Sequence, residues 1–298
     1  MKKLVSVLVT WMTAMSLVAC GSSQEASTNG EDSQAVSEST LERVKSEGVV
    51  TVGFANEKPY AYATPDGKLT GEAVEIARVV LKNMGINEME GVLTEFGSLI
   101  PGLKAGRFDL ITAGMFITPV RAKEVAFANP EYSIGEALAV KPSNPKGLHS
   151  YKDIADQPDV KIAVMGGAIE NEYLLKSGVS RDQIVTVPDN PAAISALQSG
   201  RVDAITMTGP SLQALLDAAQ DAEIERVMDF EQPVIDGKSV RGYGATAFRI
   251  EDEEFRQAFN RELQLLKESG ELLQILQQFG FTEQELPGDV TAEELSTE

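Results

Sequence analysis

Five residues carry most of the recognisable chemistry in this chain: Glu57, Tyr60, Phe96, Phe116 and Arg121. An arginine forks two parallel hydrogen bonds onto a carboxylate, and aromatic faces attract a delocalised or alkylated cation. A glutamate accepts N–H bonds from the cationic end of the same molecule. Together they suit a small zwitterion with a soft positive charge, each cation–π contact contributing roughly 0.5–2 kcal/mol according to its desolvation. Each residue also has a plainer use, the aromatics as core or surface and the two charges as solvated groups. Their joint placement favours a site, and that placement follows from the elements around them.

Val49–Phe54 has the composition of a buried strand, and Glu57 and Tyr60 lie just beyond its carboxyl end. Apolar residues from Gly71 to Met84 fall at helical spacing, and Gly85 ends that helix. Val92 to Phe96 reads as a second strand, Ser98 as the cap of a helix from Leu99 to Ala105, and Phe108 to Ala113 as a third strand ending at Gly114. Pro119 and Arg121 open a short helix. Gly135 to Val140 reads as an extended exit, and Pro142-Ser143-Asn144-Pro145 as a boundary. The second half alternates again: strands at Lys161–Met165, Gln183–Val187, Ala204–Thr208 and Arg226–Phe230, with helices between them. Two final helices, Glu253–Lys267 and Leu272–Phe279, are expected to return to the first half.

A short internal repeat supports two similar halves. Ser98–Thr112, SLIPGLKAGRFDLIT, matches Ala192–Thr206, AAISALQSGRVDAIT, at a constant shift of 94 positions. The alternation predicts an α/β fold of two lobes with largely parallel sheets, in which ligands sit outside the carboxyl ends of the strands. Under the repeat, Gly114 and Thr208 end matching strands that face one cleft. The expected organisation is residues 1–19 as an export signal, 20–40 as a tether, 41–139 with 243–298 as the first lobe, and 140–242 as the second. Crossovers are expected near 137–145 and 235–247.

Several function classes are disfavoured. The single histidine, His149, lies in the polar boundary, and the single cysteine is Cys20, so neither a Ser/His nor a Cys/His nucleophile can be assembled. The same counts exclude Cys/His metal sites and an internal disulfide, and no dinucleotide or phosphate loop is present. No catalytic residue, metal or cofactor is expected, and carboxylate acid–base chemistry remains only as a weak alternative. A formal charge of −19 argues against nucleic acid and against a polybasic membrane contact. At the start, Lys2 and Lys3 precede an apolar run that is too short and too early to be a spanning helix followed by a domain. That run ends in Leu17-Val18-Ala19-Cys20, which resembles a bacterial lipobox and implies lipidation of Cys20. The following stretch to residue 40 has almost nothing that packs and reads as a flexible tether.

From residue 41 onward the chain resembles the family 3 extracellular solute-binding proteins, the capture subunits of ABC importers. Within that family Phe54-Ala55-Asn56-Glu57-Lys58-Pro59-Tyr60, Thr94–Leu103 and Ala113-Gly114-Met115-Phe116 resemble the ectoine and hydroxyectoine binders. The resemblance implies a two-lobed, type II periplasmic-binding-protein-like fold. It also implies an Arg121 clamp on the ligand carboxylate, Glu57 on the ring nitrogens, and Tyr60, Phe96 and Phe116 as an aromatic box. Backbone N–H groups of Gly167 and Ala168 would complete the carboxylate site. Implied partners are ectoine or hydroxyectoine, an ABC permease and, through Cys20, the outer face of a membrane; a monomer is expected. Two departures bear on the ligand: Phe116 replaces a Ser or Thr hydroxyl common in amino-acid binders, and Thr208 replaces their Asp for the α-ammonium. A polar amino acid, a betaine, or a dehydratase on the same fold are the rival readings.

Overall fold

A computed structural model describes residues 38–219, 223–235 and 237–297. The expected signal segment, Cys20 and most of the tether lie outside these residues. The described chain begins with Ser39 capping the helix Thr40–Glu47 in a reciprocal capping box with Glu42.

Two five-stranded sheets form the centres of two lobes. The first has the order Glu88–Leu93, Val49–Phe54, Leu110–Ile111, Ala247–Phe248, Ala126–Phe127. The second has the order Ile184–Val187, Ile162–Met165, Ala204–Thr208, Glu136–Val140, Glu225–Arg226. In each, the first three strands pair in parallel and the fourth, Ala247–Phe248 or Glu136–Val140, runs antiparallel to the strands on both its sides. The helix Glu72–Asn83 and the return helices Glu253–Ser269 and Glu271–Gln278 pack on the first sheet, burying Ile76, Val80, Phe255, Phe259 and Leu276 in one core. Helices Asn190–Gln198 and Gly209–Ala219 bury Ile194, Leu197 and Leu212 against the second.

The 94-residue repeat has a structural cause. Asp109 Oδ2 accepts the Thr51 N–H at 2.9 Å while its own N–H reaches Thr51 O at 2.8 Å. Asp203 repeats this with Lys161 in the other lobe, at 2.9 and 2.8 Å. The glycine three positions before each aspartate, Gly106 or Gly200, has φ of +68° or +72°, a left-handed turn that a side chain would strain. The Gly-Arg-x-Asp unit therefore turns the chain out of a helix and ties it to the neighbouring strand's start. It builds the lobes and holds no ligand.

Several boundaries differ from the sequence-based expectation. The strand expected at Val92–Phe96 is Glu88–Leu93, an edge strand whose alternation is broken at the exposed Gly91 and Leu93. Phe96 instead opens a single turn, Phe96–Ser98, and Ser98 makes no side-chain cap because the chain is already coiled there. The strands expected at Phe108–Ala113 and Arg226–Phe230 shrink to Leu110–Ile111 and Glu225–Arg226. Glu136–Val140 pairs throughout with Ala204–Thr208, so it belongs to the second sheet and the expected lobe boundary at 139/140 falls inside it. Pro142–Pro145 is the turn beyond that strand. The crossover is an antiparallel ribbon of Tyr132–Ile134 and Gly242–Gly244, which places the first crossing upstream of the expected 137–145.

Beneath the first lobe, Glu72 and Glu131 are both 0 % exposed. Glu131 Oε1 accepts from Thr246 N and Oγ1 at 3.1 and 2.7 Å, whereas its other oxygen and both oxygens of Glu72 receive no hydrogen bond. Burial pushes the Glu131 carboxyl up from the ordinary 4.5 to about 7, and burial with the Glu131 charge pushes Glu72 further. A carboxyl raised in the folded state binds protons there that the unfolded chain has released, so stability falls as pH rises through about 4.5 to 7. Urea denaturation at pH 5 and pH 8 is expected to show that loss in the wild type. In Glu131→Gln the loss should be smaller by on the order of 1–3 kcal/mol. Equal slopes would show that Glu131 is ionised throughout.

Candidate functional site

Each site residue is set by a local device. After Val49–Phe54, a tight loop in which Glu57 and Ala61 exchange backbone hydrogen bonds at 2.9 Å aims Glu57 and Tyr60 across the end of the sheet. Thr118 caps the helix Pro119–Ala122 by accepting the Arg121 N–H, and Pro119 at its first turn presets the helical angle, so Arg121 emerges at the cleft. Gly114 has φ of +62°, and a Cβ there would stand 2.5 Å from the Tyr60 ring and 2.9 Å from the Tyr132 hydroxyl. Phe116 bridges Gly244 of the crossover ribbon, where Ile117 N–H also reaches Tyr243 O at 2.9 Å.

These devices bring Glu57, Tyr60, Phe96, Gly114, Phe116, Arg121, Ala168 and Thr208 around one small cavity. Gly167 lies outside it, on the far side of Arg121, where its carbonyl accepts from Arg121 Nη2 at 3.0 Å. The Ala168 N–H donates to Met165 O at 3.1 Å. Of the two N–H groups expected to meet the carboxylate, that of Ala168 is therefore already engaged, and the Gly167 carbonyl is the group that faces Arg121. A larger opening of about 710 Å³ adjoins on the other side of Glu57 and Met165, but neither the arginine nor the phenylalanine faces reach it.

Within the cavity, the Tyr60 ring stacks on Tyr132 with centroids 5.4 Å apart and planes at 19°, and Phe116 meets Tyr132 edge-on at 6.3 Å. The Arg121 guanidinium lies 5.6 Å above the Phe96 ring and donates to Phe116 O at 2.8 Å. Burial lowers the arginine's proton affinity while the Glu170 carboxylate opposes that shift, and the group stays cationic.

The lobes meet through side chains of this same set. Glu57 Oε1 accepts from Asn190 Nδ2 at 2.9 Å and Ser211 Oγ at 2.7 Å, and the Tyr60 hydroxyl lies 2.6 Å from Thr208 Oγ1. Burial pushes the Glu57 carboxyl up to about 7, with the two hydrogen bonds opposing the shift. Thr208, at the end of its strand, thus meets Tyr60 and lines the same cavity as Gly114. Residues the sequence reading did not assign are Tyr132, Met165, Asn190, Ser211 and the buried Glu136, together with Ile169 and Glu170 of the cavity wall. No spacing signal marks Tyr132 or Asn190, because each reaches the cleft from a different part of the chain. Among the described residues no cluster of metal-ligating side chains occurs.

The profile of bacterial extracellular solute-binding proteins, family 3, matches residues 50–283. The chain belongs to that family. This solute-binding protein is 39% identical over 260 residues to a probable amino-acid ABC transporter periplasmic-binding protein of Sinorhizobium fredii, covering 86% of this chain and 85% of the relative. It is 27% identical over 271 residues to a probable histidine-binding protein of Campylobacter jejuni, covering 91% and 95%. The crystal structure of EhuB in complex with hydroxyectoine superposes with a TM-score of 0.80 at 39% identity, covering 87% of this chain and 98% of that one. An ancestral amino-acid-binding protein described as a precursor of cyclohexadienyl dehydratase gives 0.70 at 27% identity, covering 81% and 99%. The fold is the two-lobed type II architecture of periplasmic binding proteins. The chain is accordingly an extracytoplasmic ABC-transporter binding protein for amino-acid-like solutes rather than an enzyme. Among the described residues no helix is long and apolar enough to cross a membrane.

Closure brings backbone against backbone, since a Cβ on Gly167 would lie 2.6 Å from the Gly97 Cα in the other lobe. Gly167→Ala is therefore expected to hold the lobes apart and to weaken solute binding at least tenfold, about 1.4 kcal/mol, alongside a stability loss of about 1–2 kcal/mol from a side chain at φ +83°. Wild-type affinity in this variant would show that the two glycines do not set the limit of closure.

Proposed function

We propose that this binding protein captures a small zwitterion with a delocalised cation, ectoine or hydroxyectoine, and hands it to its ABC permease. The observation that carries the reading is the convergence of three aromatic rings, one arginine and one glutamate on a single cavity. Arg121 holds the ligand carboxylate, exchanging its Gly167 carbonyl contact for a charge-assisted pair. Tyr60, Phe96 and Phe116 face the cationic ring, and Glu57 accepts its N–H groups. Thr208 is turned toward Tyr60 and brings no carboxylate to an α-ammonium, which disfavours an ordinary amino acid. EhuB, whose structure holds hydroxyectoine, supports the same ligand class. Closure about the Tyr132–Ile134 and Gly242–Gly244 ribbon completes the site, driven by the contacts the ligand gains only in the closed form. The lipobox-like ending at Cys20 supports an anchor that holds the protein beside the permease.

A polar amino acid is the second reading, because the buried Glu170 at the cavity wall offers a carboxylate that an α-ammonium can use. Calorimetric titration of ectoine, hydroxyectoine, glycine betaine and a panel of amino acids is expected to rank the first two tightest. An amino acid that binds tighter sinks the ectoine assignment. Arg121→Ala is expected to weaken the best ligand by more than tenfold, beyond about 1.4 kcal/mol. A smaller change removes Arg121 from the role of clamp.

A further inference from the structure

Two carboxyl groups stand at the second-lobe wall of the cleft. Glu170, on the helix Glu170–Lys176, is 4 % exposed and lines the cavity. Glu136, 3 % exposed on the strand Glu136–Val140, lies behind it within hydrogen-bonding reach. The Glu136 backbone is held in place by Gln232, which accepts its N–H at 2.8 Å and donates to its carbonyl at 2.7 Å. Its two carboxylate oxygens receive no donor from any described residue. A buried carboxylate without donors beside a second carboxyl is stabilised by a proton held between them.

The surroundings relieve this at Glu170, through Arg121 and a backbone N–H, but not at Glu136. Facing the pair are Glu57 from the loop after the first strand, Tyr151 from the helix Tyr151–Ala155, Tyr173 on the Glu170 helix, and Arg121 from the opposite lobe. Glu172 also contributes to the field at Arg121 and Tyr173. Arg121 is the only cation among these groups, and its two hydrogen bonds go to carbonyls of Phe116 and Gly167. Burial holds both carboxyls above the usual carboxylate range; the Glu170 charge adds to the shift at Glu136, whereas the Glu136 contact, a backbone N–H and the Arg121 charge oppose it at Glu170.

We propose that Glu170, positioned by Glu136, is the second lobe's counterion for the ligand's cation, and that the pair releases its shared proton when that cation binds. This rests on the zwitterion reading and adds to it a second charge contact and a direction of pH dependence. The balance is simple: one O–H bond of the pair breaks, the proton passes to solvent, and the freed carboxylate accepts an N–H of the cation. A cyclic amidinium carries two N–H donors, so Glu57 and Glu170 can each take one from opposite lobes. Because the free protein holds the proton and the complex does not, binding tightens as pH rises and weakens as it falls. A neutral isostere cannot displace the proton, so the pair also selects for charge.

The test is titration calorimetry at about pH 8, above the value near 7 at which Glu57 titrates, in phosphate and in Tris, whose different ionisation heats reveal the protons exchanged. Wild type is expected to release close to one proton per ectoine bound. Glu136→Gln, which cannot share an acidic proton, is expected to release close to none while still binding one ligand. Glu170→Gln is expected to lose at least tenfold in affinity, and melting curves establish that both variants fold. Equal proton release in wild type and Glu136→Gln, or Glu170→Gln binding within twofold of wild type, overturns the proposal. If an amino acid binds and ectoine does not, the ligand reading fails, and the proton count taken with that amino acid still decides the role of the pair.

Discussion

The Tyr132 ring is the contact on which the cleft depends. It stacks on Tyr60, meets Phe116 edge-on, and its hydroxyl donates to Gly114 O at 2.8 Å. Phe281, beyond the last long helix, closes the same group from behind at 5.4 Å. Tyr132 is also the first residue of the crossover ribbon, paired with Gly244, where a Cβ would come within 2.2 Å of its ring. One side chain thus joins the aromatics that line the cavity to the ribbon that crosses between the lobes. This packing is possible only because Gly114 and Gly244 lack side chains, since a close-packed interior has no room to absorb an added methyl group.

Electrostatics divide the cleft between its lobes. The first lobe contributes Arg121 and Glu57, which match the two ends of a zwitterion. The second contributes Asn190 and Ser211, which hold Glu57, together with the Glu136–Glu170 pair. Burying several carboxyls near one guanidinium is unfavourable unless protons or a ligand cation compensate. The cleft is therefore better suited to a net-neutral molecule with a strong, spread positive end than to an anionic one. The acidic surface plays no part in that discrimination, because exposed charges are screened within about 10 Å.

Much of the scaffold was legible in the sequence. Strand Val49–Phe54, strand Ala204–Thr208 and the helix following Gly71 could be read because a buried run or a clear 3.6-residue period leaves few alternatives. The edge strand Glu88–Leu93 could not, since Gly91 and the exposed Leu93 break the alternation that Glu88, Met89 and Glu90 begin. The boundary between lobes was misplaced for a related reason: Pro142–Pro145 is a strong turn signal, yet turn chemistry reports a local bend and says nothing about which sheet the preceding strand joins.

By itself the sequence determined which residue types were available to read a ligand, and it placed Glu57, Tyr60, Phe96, Phe116 and Arg121 at the carboxyl ends of strands or on the turns that follow them. Local rules suffice there, because capping, glycine turns and strand ends act within a few residues. Only the tertiary structure decided how those residues are held: Tyr132 beneath Tyr60, Asn190 and Ser211 on Glu57, Thr208 on the Tyr60 hydroxyl, and Glu136 behind Glu170. Those partners are separated by 34 to 154 positions along the chain. Contacts at such separations follow from packing within each lobe and across the cleft between them, which leaves no periodic trace in the sequence around any one of them.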